Sequence, residues 1–182
     1  MLQRNKNPWD SPGKSPGRAS ARGFTLVELM VTVAVIAVIG AVAVPNMRTI
    51  ILRNRLKSQT EDVAGTMQLA RSEAIRTNAR VTACVSSGGI TCSTSAQRFV
   101  VFNEANEILR EVALPADVQV SGPAAGIVFR SSGRIDSSLP AADRVVVVCI
   151  PDANLGENQR EITVALGGAS TSTPKNGGGS CP

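Results

Sequence analysis

The stretch Gly23-Phe24-Thr25-Leu26-Val27-Glu28-Leu29-Met30 opens an apolar run that continues to Val44. From Phe24 to Val44 the only ionisable side chain is Glu28. About 20 apolar residues at 1.5 Å rise span a bilayer core, so the run reads first as a membrane-spanning helix. A carboxylate inside such a segment is costly and marks a functional residue by default. Basic residues stand ahead of the run, Arg18 and Arg22 the nearest. By the positive-inside rule they hold the N-terminus in the cytoplasm and leave the rest of the chain outside.

The 182 residues allow one modest domain plus an extension. The formal net charge of +5 invites a nucleic-acid reading until the charges are located. Residues 1–23 carry Arg4, Lys6, Lys14, Arg18 and Arg22 against Asp10, so most of the excess precedes the apolar run. Residues 81–182 hold seven basic and nine acidic side chains, a net of −2. Phosphate binding needs clustered cations, and none is evident there. Trp9 is the one tryptophan and tyrosine is absent, so beyond residue 23 the aromatics are Phe24, Phe99, Phe102 and Phe129. That inventory is poor for a base-stacking platform. Histidine is missing altogether, which removes His-based triads and His metal sites.

Residues 1–22 are polar, basic and rich in Pro and Gly, with nothing to pack. An ordinary signal peptide is the competing reading, with Ala41-Val42-Ala43 as an A-x-A-like cleavage site. Against it stand the 17-residue run from Phe24 to Gly40, long for such a segment, and the acid within it. Gly40 and Pro45 then interrupt the helix; proline deletes a backbone hydrogen bond and predicts a kink or a meltable segment. Helical spacing resumes at Met47/Ile51, Leu52/Leu56 and Val63/Met67/Ala70/Ala74, predicting an amphipathic helix to about Thr77. A helix from Phe24 to Thr77 would be roughly 80 Å long, so its first half is expected to protrude. The basic run Arg48, Arg53, Arg55, Lys57, Arg71, Arg76 and Arg80 reads as a solvated or headgroup-facing surface.

After Asn78 the period changes to two. Residues 80–86, 97–103, 108–114, 118–121, 126–130, 144–150 and 160–166 read as strands separated by Gly-, Ser- and Asn-rich turns. In the last of them Ile162, Val164 and Leu166 are expected to face one way. The four valines within 144–150 predict a central strand covered on both faces. The Gly/Ser/Thr-rich tail, 167–182, is expected to be disordered unless tied down. The fold class is therefore α+β, a long N-terminal helix packed on a small antiparallel β domain.

Gly-Phe-Thr-Leu-Val-Glu before an apolar run resembles the processing site of type IV prepilins and type II secretion pseudopilins. Gly23, Phe24, Glu28 and Pro45 all stand where that family has them. The resemblance implies cleavage by prepilin peptidase after Gly23, N-methylation of Phe24, and use of Glu28 in assembly, paired with the amine of a neighbouring subunit. It further implies a division into a leader (1–23), a transmembrane half-helix (24–44), an amphipathic half-helix (45–77) and a periplasmic β domain (78–182). Removal of the leader would leave a net charge of only +1. Gln68-Leu69-Ala70-Arg71-Ser72-Glu73-Ala74 and Phe129-Arg130-Ser131-Ser132-Gly133-Arg134 resemble the GspH/FimT branch of minor pilins. The end of the chain looks most like FimU-type pilus proteins. Implied partners are prepilin peptidase, other minor pilins and the major pilin (or pseudopilins), and an inner-membrane assembly platform. Some FimT-type relatives bind DNA through a Gly-Arg-x-Arg motif; here that stretch is Leu166-Gly167-Gly168-Ala169-Ser170, without arginine, and nucleic acid is not expected as a partner.

Four cysteines in an exported chain suggest two disulfides. Of three connectivities, Cys84–Cys92 across the base of a Gly-Gly hairpin with Cys149–Cys181 anchoring the tail is favoured. The second would close a loop of about 33 residues, worth roughly 3.5 kcal/mol in the chain-entropy model. Their spacing fits no zinc ribbon. No Gly-x-Ser-x-Gly or phosphate loop is present, Lys175 is the only lysine beyond residue 57, and Asp136 and Asp143 lie near turns. A non-enzymatic protein without cofactor or metal is expected.

Overall fold

A computed structural model describes residues 23–182. The chain divides into two units that meet between Ala41 and Val42. The first contributes the beginning of helix α1, Leu26–Thr77. Its large apolar side chains are exposed on every side, from Leu26 to Ile39. Helical structure runs through Gly40 and Pro45, so the interruption expected there does not end the helix.

In the second unit α1 buries Leu56, Thr60, Val63, Met67, Ala70 and Ala74, which recur at alternating steps of four and three. The hydroxyl of Thr60 donates to the Leu56 carbonyl at 2.6 Å, so the stripe carries no unpaired hydroxyl at that position. The expected pair Met47/Ile51 departs from this pattern: both are exposed, with Ile50 beside them. The helix ends in a Schellman arrangement. Asn78 takes φ of +52°, its N–H donates to Ile75 O, and the Ala79 N–H donates to Ala74 O.

Ten strands follow: β1 (Val81–Gly88), β2 (Thr91–Cys92), β3 (Ser95–Ala96), β4 (Arg98–Asn103), β5 (Ile108–Ala113), β6 (Gln119–Ser121), β7 (Ile127–Phe129), β8 (Val145–Cys149), β9 (Gln159–Val164) and β10 (Ser170–Lys175). One antiparallel sheet runs β2-β1-β4-β5, with β7 also paired to β1; the other runs β10-β9-β8-β6-β3. Val81, Ala83 and Val85, Phe99 and Val101, Ile127 and Phe129 from the first sheet share one core with Val120, Val146, Val148, Ile162 and Val164 from the second. The helical stripe belongs to the same core.

Two expectations about the strands need correction, and the condition placed on the tail is met. β8 is central in its sheet, but only Val146 and Val148 are buried among its valines; Val145 and Val147 stay half-buried, because an antiparallel sheet needs cover on one face only. Leu166 lies beyond the end of β9 and is exposed, unlike Ile162 and Val164. The tail, expected to be disordered unless tied down, is tied down by the Cys149–Cys181 bond and by a strand. Gly168 N–H donates to Ala165 O in a tight turn, and β10 then pairs with β9 from Ser170↔Val164 to Lys175↔Gln159. Pro174 is tolerated there because β10 is an edge strand.

Candidate assembly site

Gly23 and Phe24 precede α1, and both are exposed. Space around Gly23 is open among the described residues, with nothing within 4 Å of an added Cβ. Thr25 caps the helix: its Oγ1 accepts from the Glu28 N–H at 3.2 Å, and its carbonyl accepts from Leu29 N–H. Glu28 therefore sits at the third helical position, where the helix dipole favours an anion. Its side chain is exposed, and among the described residues its carboxylate makes no hydrogen bond or ion pair. The Thr25 cap was not read from the sequence, although Thr-x-x-Glu ahead of an apolar run is the spacing of a capping box. Gly23, Phe24 and Glu28 are thus gathered within one turn of the helix start. Pro45 lies within α1 on the other side of the unit boundary. Among the described residues α1 is the one helix long and apolar enough to cross a membrane.

The cysteines lie in the second unit as two bonded pairs. Cys84 joins Cys92 with Cα atoms 5.6 Å apart, and Cys149 joins Cys181 with Cα atoms 5.7 Å apart. The first links β1 to β2 across the 86–92 hairpin. The second fastens the end of the chain to β8. Buried Asn158 supports it: Nδ2 donates to Ser180 O and Ile150 O, and Oδ1 accepts from Gly177 N–H at 2.8 Å. Gln159 Nε2 also donates to Ser180 O. These contacts hold a glycine-rich tail against β8 and β9.

The carboxylates near turns are likewise engaged. Asp136 accepts from Arg130 at 2.6 Å and from the N–H and hydroxyl of Ser138, which hold it well below the usual carboxylate range. Asp143 occupies a single 3-10 turn, Ala141–Arg144. One groove, of about 460 Å³, is lined by Val44, Arg48, Leu52, Asp152 and Leu155 among others. Its only ion pair is a loose one, Arg48 to Asp152 at 3.9 Å.

Comparison with known proteins matches the family model described as type II transport protein GspH to residues 59–168. The prokaryotic N-terminal methylation motif matches residues 18–44. No curated protein matches the chain. Among solved structures, the type IV minor pilin FimU of Pseudomonas aeruginosa is 17% identical, with a TM-score of 0.49 over 65% of this chain and 92% of that one. A second crystal form of it gives 17% identity and a TM-score of 0.48, over 68% and 90% of the two chains. The minor pseudopilin EpsH of the Vibrio cholerae type 2 secretion system is 14% identical, with a TM-score of 0.42 over 68% and 98%. With its family model matched over more than half its length, behind an N-terminal methylation motif, the chain belongs to the GspH family of minor pilins and pseudopilins.

Proposed function

We propose that the chain is a minor pilin made as a prepilin. Prepilin peptidase cuts it after Gly23, and the new N-terminal Phe24 is methylated. The chain crosses the bacterial inner membrane once, through residues 24–44, and carries residues 78–182 in the periplasm. At the assembly platform it joins other minor pilins and the major pilin in a complex that primes or caps a type IV pilus. Its work is structural, in twitching or adhesion for example, and not catalytic.

One observation carries this reading: a lone carboxylate one turn from Phe24, the one ionisable side chain between Phe24 and Val44, with no partner among the described residues. A buried carboxylate requires a cation, and the amine of a processed neighbouring subunit supplies one. N-terminal sequencing of the mature protein tests the first step. The expected start is methylated Phe24, and a Gly23 substitution should leave full-length precursor in the membrane. A start at Val44 would instead support a signal peptide.

A second reading, the equivalent pseudopilin of a type II secretion system, is favoured by the description of the matched family. Deleting the gene separates the two: loss of surface pili supports the first, and retained pili with loss of exported enzymes supports the second. A DNA-uptake role is disfavoured by the net charge of −2 over residues 81–182. Micromolar retention of duplex at physiological salt, with a steep salt slope, would reinstate it.

A further inference from the structure

Two tight turns close on Arg71 of α1. At Gly133, with φ of +71°, an added Cβ would lie 2.6 Å from Ile75 Cδ1 and 3.3 Å from Arg71 Nε. At Gly168, with φ of +81°, it would lie 2.2 Å from Gly133 O and 3.0 Å from both Cδ and Nε of Arg71. Gln68 Nε2 donates to Ser170 Oγ at 2.8 Å and holds the second turn against the helix. The arginine stem is therefore clamped between α1 and two turns that only glycine can make so tightly.

The head of this side chain is unpaired. Arg71 Nε is buried and has no acceptor, the one buried side-chain nitrogen or oxygen in that condition among the described residues. The terminal nitrogens reach the surface and have no hydrogen bond or ion pair among those residues. Eight other basic side chains do have carboxylate partners: Arg48, Arg55, Lys57, Arg76, Arg80, Arg98, Arg130 and Lys175. Carboxylates near Arg71 along the chain or across the Gly133 turn are already taken, Glu73 by Arg76 and Asp136 by Arg130. Arg134, beside Gly133, is exposed and likewise has no ion pair among the described residues, as is true of Arg53 and Arg110 elsewhere in the chain.

We infer that Arg71, clamped by the Gly133 and Gly168 turns, is a preformed docking point for an aspartate or glutamate side chain on a second pilin-family subunit. A guanidinium fixed by its stem has already lost its rotamer freedom, so pairing costs less entropy than at a free surface arginine. Its partial burial also leaves a charge that a carboxylate would compensate. Binding is end-on, through the two terminal nitrogens, because Nε is closed off. A polyanion is a poor fit, since the surrounding β domain is net acidic and offers no further cluster of cations. The inference rests on the assembly reading above and supplies it with a contact outside the apolar helix.

The test uses the full chain in cells that make its partner subunits, with the photocrosslinker benzoylphenylalanine at exposed Ser132. The expected product is a crosslink to a pilin-family subunit, within a peptide that carries an Asp or Glu. Arg71→Met should lower its yield about tenfold or more, the scale of one charge-assisted hydrogen-bonded pair, and Arg71→Lys should lower it less. Arg71→Glu combined with that partner carboxylate changed to Arg should restore the yield, a rescue that misfolding could not produce. Unchanged yield in Arg71→Met, a crosslinked peptide without a carboxylate, or failure of the charge swap overturns the inference. The same crosslinker at Val35, in the otherwise unaltered chain, reports assembly itself. Crosslinks at Val35 together with a Ser132 yield that does not depend on Arg71 sink this inference alone, whereas absence of crosslinks at Val35 sinks the assembly reading and this inference with it.

Discussion

Residues 26–44 and 56–74 belong to the same helix and meet opposite surroundings. The first stretch is apolar apart from Glu28 and Thr32, and its large apolar side chains are exposed. The second buries one stripe and turns Glu61, Asp62 and Ser72 outward. A stripe asks for a core to cover it, and this one joins the core to which both sheets contribute. An all-round apolar surface asks for lipid or for other helices, which no part of this chain supplies among the described residues. Val44, Met47, Ile50 and Ile51 extend the first regime into the second unit. Stability therefore resides in the buried stripe of the second stretch, and on the proposed function the first stretch is left free for lipid or neighbouring helices.

Substitution breaks that contrast most sharply. Met67→Ala, in the buried stripe, should destabilise the domain by about 2–5 kcal/mol. Val35→Ala should change the same unfolding transition by no more than about 0.5 kcal/mol. Denaturant melts of the detergent-solubilised full chain measure both. A Val35→Ala cost equal to that of Met67→Ala would erase the distinction.

Much of this contrast was legible in the sequence, for physical reasons that differ by region. The apolar run from Phe24 needs no tertiary information, because lipid-length hydrophobicity is a local property. The stripe through Leu56, Val63, Met67, Ala70 and Ala74 is visible because spacing of three and four is itself the geometry of one helix face. The same spacing at Met47 and Ile51 misled, since periodicity shows which residues share a face but not whether anything covers it. β10 was illegible for the opposite reason. Its Ser-Thr-Ser-Thr-Pro-Lys looks like a linker, and its order comes from β9, Asn158 and the Cys149–Cys181 bond, all non-local. The clamp on Arg71 joins residues 71, 133 and 168, which no sequence window brings together.

The tail offers the next test, because it is polar yet ordered. Replacing Cys149 and Cys181 by serine should lower stability by about 2–4 kcal/mol. Amide exchange should quicken first at 176–182, with β10 affected less because its ladder to β9 survives. Uniform loosening of both sheets would show that the bond supports the core and not the tail.

The smallest expected effect is at Asp136. Its carboxyl lies below the ordinary value of 3.8, chiefly through the Arg130 hydrogen bond, so the folded state favours its ionised form. Any stability it contributes is complete above that ordinary value and is lost as pH falls below it towards the folded value. The difference between native protein and Asp136→Asn should therefore shrink between about pH 5 and pH 2. A difference that stays constant over that range would refute the assignment.

The central claim is that the first stretch of α1 is built for association and that Glu28 directs it. An apolar helix leaving lipid for neighbouring helices gains little directional drive, because lipid tails are as apolar as leucine. A carboxylate that meets the Phe24 amine of an adjacent subunit fixes the axial register, and an uncompensated partner charge costs about 3–5 kcal/mol when buried. The most direct measurement is the amount of Glu28→Ala protein in sheared filaments, compared with the amount processed in the membrane. The account predicts normal cleavage at Gly23, normal membrane insertion, intact disulfides and no variant in the filaments. Glu28→Ala protein present in the filaments at the unaltered level would contradict it.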